Sequence, residues 1–271
     1  MKRWLVRIAV LLLVLVAALV ITIVVADEAP PTGKAGPFAD LLARRMQGAV
    51  EMDRWNATGI VRFDFGGRFQ HVWDRNRRYA RIRWGETEVL MRLDDRSGIA
   101  RVKGEVVEGD AAKAALEEAN VRFVNDTFWL NPMATFFNEG VTREIVELEG
   151  NKQALLVSYG SGGVTPGDKY LFFHDGRWKP NRWKMWVDII PVGGLAVTWE
   201  RYQTLQTGAQ ISTKHDWLIP FEIEGLAGAN DVSMMFEEDP FAELGAPKNP
   251  ASQPAHPAAP ASQPSSQPAP E

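Results

Sequence analysis

From Thr58 onward apolar side chains recur at every second position, and that period constrains the fold more than any other feature of the chain. Val61, Phe63 and Phe65 alternate with Arg62 and Asp64, Gly66-Gly67 supplies a turn, and Phe69 to Trp73 continues the pattern. A period of two sends neighbouring side chains to opposite faces, as in a half-buried strand. Tyr79 to Trp84, Glu88 to Leu93 and Ile99 to Val107 read as three more strands, with polar breaks at 74–78 and 94–98. Five short strands with short turns make an antiparallel meander, because a parallel crossover needs a dozen residues or more.

Strands resume at Val141 to Leu148, Gln153 to Tyr159, Lys169 to His174, Arg182 to Asp188, Leu195 to Thr204, Gln210 to Trp217 and Phe221 to Glu224. Asn151, Gly176, Gly193-Gly194 and Gly208 mark turns, and Val232 to Phe236 is a last strand or turn. Helices are fewer. Pro37 suits a first turn, and Phe38, Leu41, Leu42, Met46 and Ala49 follow at helical spacing. Asp110 is placed to cap the Ala-rich stretch Ala111 to Val121. The very apolar stretch from Phe123 to Phe137, interrupted at Asn131-Pro132, reads as an irregular lid lying on a sheet. The expected fold is mainly β (α+β): eleven or twelve strands in a large curved antiparallel sheet, an unclosed half-barrel with helices over its concave face.

The ends read differently. Lys2, Arg3 and Arg7 precede the apolar run Ile8 to Ala26. Nineteen helical residues span about 28 Å, close to a bilayer's hydrocarbon thickness. The leading cations place the N-terminus in the cytoplasm and the rest across the membrane. Residues 1–26 are thus a signal anchor in the inner membrane, or a signal peptide cut near Ala26. Residues 27–37 form a linker, 38–244 the folded domain, and 245–271 an Ala/Pro/Ser/Gln tail too poor in apolar side chains to fold.

Composition narrows the function. The chain has no cysteine, which excludes a disulfide scaffold, a Cys-ligated zinc, an iron–sulfur cluster and a Cys nucleophile. A cysteine-free exported protein suits a bacterial envelope, with the domain in the periplasm. Thirty basic residues against 34 acidic ones give a net charge of −4 and no nucleic-acid footprint.

His71-Val72-Trp73-Asp74, the cationic strand around Arg81 and Arg83, and Trp129-Leu130-Asn131-Pro132-Met133 sit in an order of elements that resembles the LolA/LolB-like superfamily of lipoprotein carriers. The resemblance spans residues 38–236. It implies an unclosed β-barrel whose apolar cavity, beneath helices, holds acyl chains. An acyl chain offers no hydrogen bonds, so its site must be a dry concave surface of large side chains. Val61, Phe63, Phe65, Phe69, Trp73, Val89, Met91 and Leu93 from the first meander are candidates to line it. Trp183, Met185, Val187, Leu195, Val197 and Trp199 offer the same from the second. Equally, these rows can be an ordinary core, since every half-buried sheet alternates in this way.

The same alternation limits what the histidines can do. His71 lies near Asp74, and His174-Asp175 and His215-Asp216 are adjacent pairs, while His256 falls in the tail. Adjacent strand residues face opposite ways, so neither pair can present both groups to one centre. The Gly-rich stretch 160–168 lacks the Gly-Lys-Ser/Thr ending of a phosphate loop and precedes a strand. Asn125, Asp126 and Asp168 are candidates for a small polar cluster. No catalytic residue, metal or cofactor is called for. The expected protein is a non-enzymatic monomer that binds a lipid, acyl chain or acylated lipoprotein. The alternatives are a tethered structural protein with a filled barrel and, more weakly, a His-dependent hydrolase.

Overall fold

A computed structural model describes residues 27–160, 167–217 and 219–246. The protein is mainly β, with two large antiparallel sheets and no closed barrel. The chain order is β1 (Lys34–Ala35), α1 (Pro37–Ala49), α2 (Met52–Asn56), β2 (Ile60–Phe65), β3 (Phe69–Asp74), β4 (Tyr79–Trp84), β5 (Thr87–Arg92), β6 (Gly98–Val102), β7 (Glu105–Val107) and α3 (Gly109–Leu130). A 3-10 turn (Pro132–Thr135) leads to β8 (Val141–Leu148), β9 (Lys152–Tyr159), β10 (Lys169–His174), β11 (Pro180–Trp186), β12 (Leu195–Thr198), β13 (Glu200–Thr204), β14 (Gln210–His215) and β15 (Phe221–Ala229).

The six-stranded sheet runs β1-β8-β9-β10-β11-β12, and the nine-stranded sheet runs β13-β14-β15-β2-β3-β4-β5-β6-β7. The stretch Leu195 to Thr204, expected as one strand, breaks at Trp199 into β12 and β13, which belong to different sheets. The Trp199 amide donates to the Asn181 carbonyl (2.8 Å) and the Thr198 amide to that of Asp216 (3.1 Å), so backbone bonding carries across the corner. This bend turns the strands into a half-barrel and leaves β1 and β7 as its outer edges. Both are short, which limits edge-to-edge association.

The helices fill the concave side. In α1 the buried residues are Ala39, Leu42, Ala43 and Met46. Ala39 and Ala43 allow the helix to lie close against β8, and Phe38 and Leu41 of the expected stripe are exposed instead (78% and 44%). α3 differs more from expectation. It runs 22 residues without interruption, so the apolar stretch from Phe123 to Leu130 is regular helix, and it ends where Asn131-Pro132 breaks it. Its cap residue is Glu108, not Asp110. α3 crosses β4, β5 and β6, and its Ala119 and Phe123 are buried in the core that holds Ala80 and Ala100 of those strands. The long strand expected from Ile99 to Val107 is a hairpin, because Lys103 and Gly104 both take positive φ (54° and 84°). The α2 turn, unanticipated, buries Trp55 completely.

One continuous core lies between the sheets and helices, from Leu42 and Met46 through Phe63, Trp73 and Phe123 to Phe172, Trp183 and Trp199. Residues 231–245 cover the convex side of the nine-stranded sheet, where Phe241 and Leu244 pack on Ile60, Val72, Tyr79 and Leu90. Arg77 clasps this segment by reaching both Asp74 (2.7 Å) and Asp239 (2.6 Å), which holds its own pKa above the usual range and that of Asp239 below. Phe241 is fully buried, so Phe241→Ala should cost about 3–5 kcal/mol. Urea unfolding monitored by tryptophan fluorescence checks it, and a change within error would mean that the segment adds nothing.

Candidate functional site

The sequence placed fourteen residues around a concave binding surface. Val61, Phe63, Trp73, Met91, Trp183, Val197 and Trp199 are at most 2% exposed and belong to the shared core. Phe69 is buried near the Arg68 and Arg122 guanidinium groups, and Leu93 is half-buried against the core. Of the set, Phe65, Met185 and Val187 line a pocket of about 360 Å³ at one end of the half-barrel. That volume lies at the lower end of the ~300–1,000 Å³ typical of small-molecule sites.

The pocket forms where several chain ends converge. β2 contributes Phe65, β15 Phe221, α3 Asn125 and Trp129, and β11 Met185. β10 adds Tyr170, preceded by Asp168. Two loops complete the mouth. The loop after β11 supplies Val187, Ile189 and Ile190, and the loop after β14 supplies Trp217 and Ile219. Ile189 is 51% and Ile219 71% exposed. Apolar side chains in turn segments, where polar ones are expected, are the signal of this mouth in the sequence.

The walls are mostly apolar, with polar groups gathered on one side. The buried Tyr170 hydroxyl donates to Asp168 (3.4 Å), and the Asp188 amide donates to the same carboxylate (3.4 Å). Burial and the neighbouring Asp168 charge hold the Tyr170 phenol far above its ordinary pKa, so it is a neutral donor. Of the expected polar cluster, Asn125 and Asp168 both border the pocket, while Asn125 also donates to Asp126 (2.8 Å). Asp126 turns the other way. It pairs with His71 Nε2 at 2.7 Å, both side chains at most 2% exposed, and ties α3 to β3.

This arrangement corrects the expected neighbour of His71. Asp74 holds Arg77, while the partner of His71 lies 55 positions away on a helix, a spacing with no sequence signal. His174 bonds the Asp175 carbonyl rather than its carboxylate. Asp216 pairs with Lys214, and His215 bonds the Thr198 carbonyl (3.1 Å). No group of three or more metal-ligating side chains occurs among the described residues. A second concavity of about 340 Å³ lies on the outer face around Arg62, Asp64, Gln70, Arg81 and Arg83. Three arginines and an aspartate around Phe63, Val72 and Phe236 set it apart from the end pocket, whose one charged lining residue is Asp168.

His215 lies beneath the pocket, its ring against Trp129 (5.9 Å), Trp199 (4.6 Å) and Phe221 (5.0 Å). Nδ1–H donates to Thr198, and burial pushes its pKa down to about 4. The unfolded chain therefore takes up a proton near pH 6.5 that the folded protein refuses until about pH 4. Stability contributed by the neutral ring is complete above pH 6.5 and is lost as the pH falls to 4, by about 3 kcal/mol. Urea titrations across this window should show that loss in the wild type and a flatter profile in His215→Asn. Parallel profiles would refute the assignment.

No protein-family model matches the chain, and no curated protein matches it significantly in sequence.

Proposed function

We propose that the protein is a non-enzymatic, monomeric component of a bacterial envelope that binds an acyl chain of a lipid or lipoprotein in the end pocket of a LolA/LolB-like half-barrel. The observation that carries this reading is the apolar pocket between Phe65, Trp129, Met185, Ile190 and Phe221, open at a rim of exposed isoleucines. An alkyl chain gains roughly 0.8 kcal/mol for each methylene it buries against such walls. It asks for no hydrogen bond there, and the Asn125, Asp168 and Tyr170 side can receive a polar head group. The bound segment is short, because the aromatic core occupies the interior above the pocket.

A second reading is favoured by that same filled interior: a tethered structural or interaction protein that needs no ligand. Charge placement separates the two. Val187 is at the mouth and half-buried, so Val187→Glu should cost ~1 kcal/mol of stability or less, since water reaches the new carboxylate. It should weaken a fluorescent fatty acid by about tenfold or more, a loss of ~1.4 kcal/mol. Trp199→Glu should prevent folding, since a charge in the sealed corner has no partner. The check is fluorescence displacement beside a thermal melt on each variant. Folded wild-type protein that takes up no fatty acid would overturn the acyl-binding reading and leave the structural one.

A further inference from the structure

The loop that carries Ile189 and Ile190 is bonded to Asp27 and Glu28, the first described residues of the chain. The last apolar residue of Ile8 to Ala26 is followed directly by Asp27, whose carboxylate accepts the Gly193 amide at 2.8 Å. The Glu28 amide donates to the Gly193 carbonyl (3.2 Å), the Trp186 indole to the Glu28 carbonyl (2.5 Å), and Lys184 pairs with the Glu28 carboxylate (2.5 Å). Gly193 has no alternative side chain, because a Cβ there would strike the Trp186 ring and the Glu28 carbonyl. Gly193 ends the same loop that carries Ile189 and Ile190 at the mouth. Asp27 and Glu28, the first residues of the expected linker, are thus held on the loop between β11 and β12.

The geometry points to the mouth loops, with Ile189 and Ile219 foremost, as a docking surface for a lipid bilayer. The run Ile8 to Ala26 has nineteen residues, the length of a bilayer's hydrocarbon core, and this proposal rests on reading it as an uncleaved anchor, which puts the residue after it at the interface. The headgroup layer beyond it is only about 5–8 Å deep. Clamping Asp27 to Gly193 therefore brings the mouth loops down to the depth at which isoleucine and tryptophan side chains insert. Ile189 (51% exposed), Ile219 (71%) and the half-buried Trp217 form the outward part of that rim. Asp188 precedes Ile189, and Asp27 and Glu28 bond the same loop at Gly193, where Lys184 offsets one of these three acids, so insertion is driven by apolar area and not by attraction to anionic lipid. This docking is independent of whether the pocket holds an acyl chain.

The absence of cysteine makes the test direct, since one substitution gives one labelling site. The full chain carrying Ile189→Cys, Ile219→Cys or Val106→Cys is nitroxide-labelled and reconstituted in phosphatidylcholine vesicles. Val106 is exposed on β7, five strands along the sheet from β2, and serves as the reference. The labels at 189 and 219 should collide several-fold more often with oxygen, relative to a water-soluble nickel chelate, than the label at 106. Adding phosphatidylglycerol should leave that ratio unchanged. Labels at 189 and 219 as water-accessible as that at 106, or a full chain that stays off the vesicles, would overturn the proposal. Fatty-acid displacement on the same variants reads the pocket separately, so a failure of either idea is distinguishable from a failure of the other.

Discussion

The corner at Trp199 is the constraint on which the rest of the molecule depends. There one strand leaves the six-stranded sheet and enters the nine-stranded one, and backbone hydrogen bonds from Thr198 and Trp199 reach both neighbours. The Trp199 ring packs on Trp183 at 5.1 Å and on His215 at 4.6 Å, and Trp129 of α3 meets both Trp183 and His215. Edge-to-face contacts of this kind add about 0.5–1.5 kcal/mol each beyond the area buried. The aromatic box thus sets the angle between the sheets and fastens α3 into the bend. Filling the bend with rings displaces the open space to the end of the half-barrel, where the strand ends and two loops enclose the pocket.

Two buried polar devices hold the remaining parts in place. Arg75 is 3% exposed, stacks near Trp55 and Trp73, and donates to the carbonyls of Trp55 and Thr58 (2.5 Å to the latter). Burial lowers its pKa to about 10, so it is still a cation at neutral pH and ties the α2 turn to the end of β3. His71 and Asp126 perform the corresponding task for α3. Both devices specify position: a buried polar group left without its partner costs more than the bond itself contributes. They explain why the helices sit in one register on a sheet whose apolar face alone would accept several.

The acyl-binding and membrane-docking proposals draw on the same end of the molecule for different reasons. The first rests on the shape and lining of the pocket, and the second on the bond between Asp27 and the loop that carries Ile189 and Ile190. Together they describe a half-barrel held mouth-down on a bilayer, a position in which an acyl chain can leave the membrane for the pocket without crossing water. Among the described residues no helix is long and apolar enough to span a membrane, and the run Ile8 to Ala26 lies outside them.

The two meanders, their antiparallel sense and most turn positions were legible in the sequence. A two-residue apolar period with short Gly- and Asp-rich breaks admits few other local structures. The break at Asn131-Pro132 was equally local, because proline denies the preceding residue helical geometry, whereas the continuation of α3 from Val121 to Leu130 was not read. The sequence by itself also placed Val61, Phe63, Trp73, Trp183 and Trp199 on the inner face, since alternation reports direction. It had no means of reporting whether that face is open or filled, because a core and a cavity lining are the same pattern until the helices are docked. Only the tertiary structure decided that α3 and the corner rings fill the interior, that His71 meets Asp126, and that the loops carrying Ile189 and Ile219 converge on one mouth. Each of these joins residues far apart in the chain, and such contacts follow from how the sheets bend rather than from any local preference.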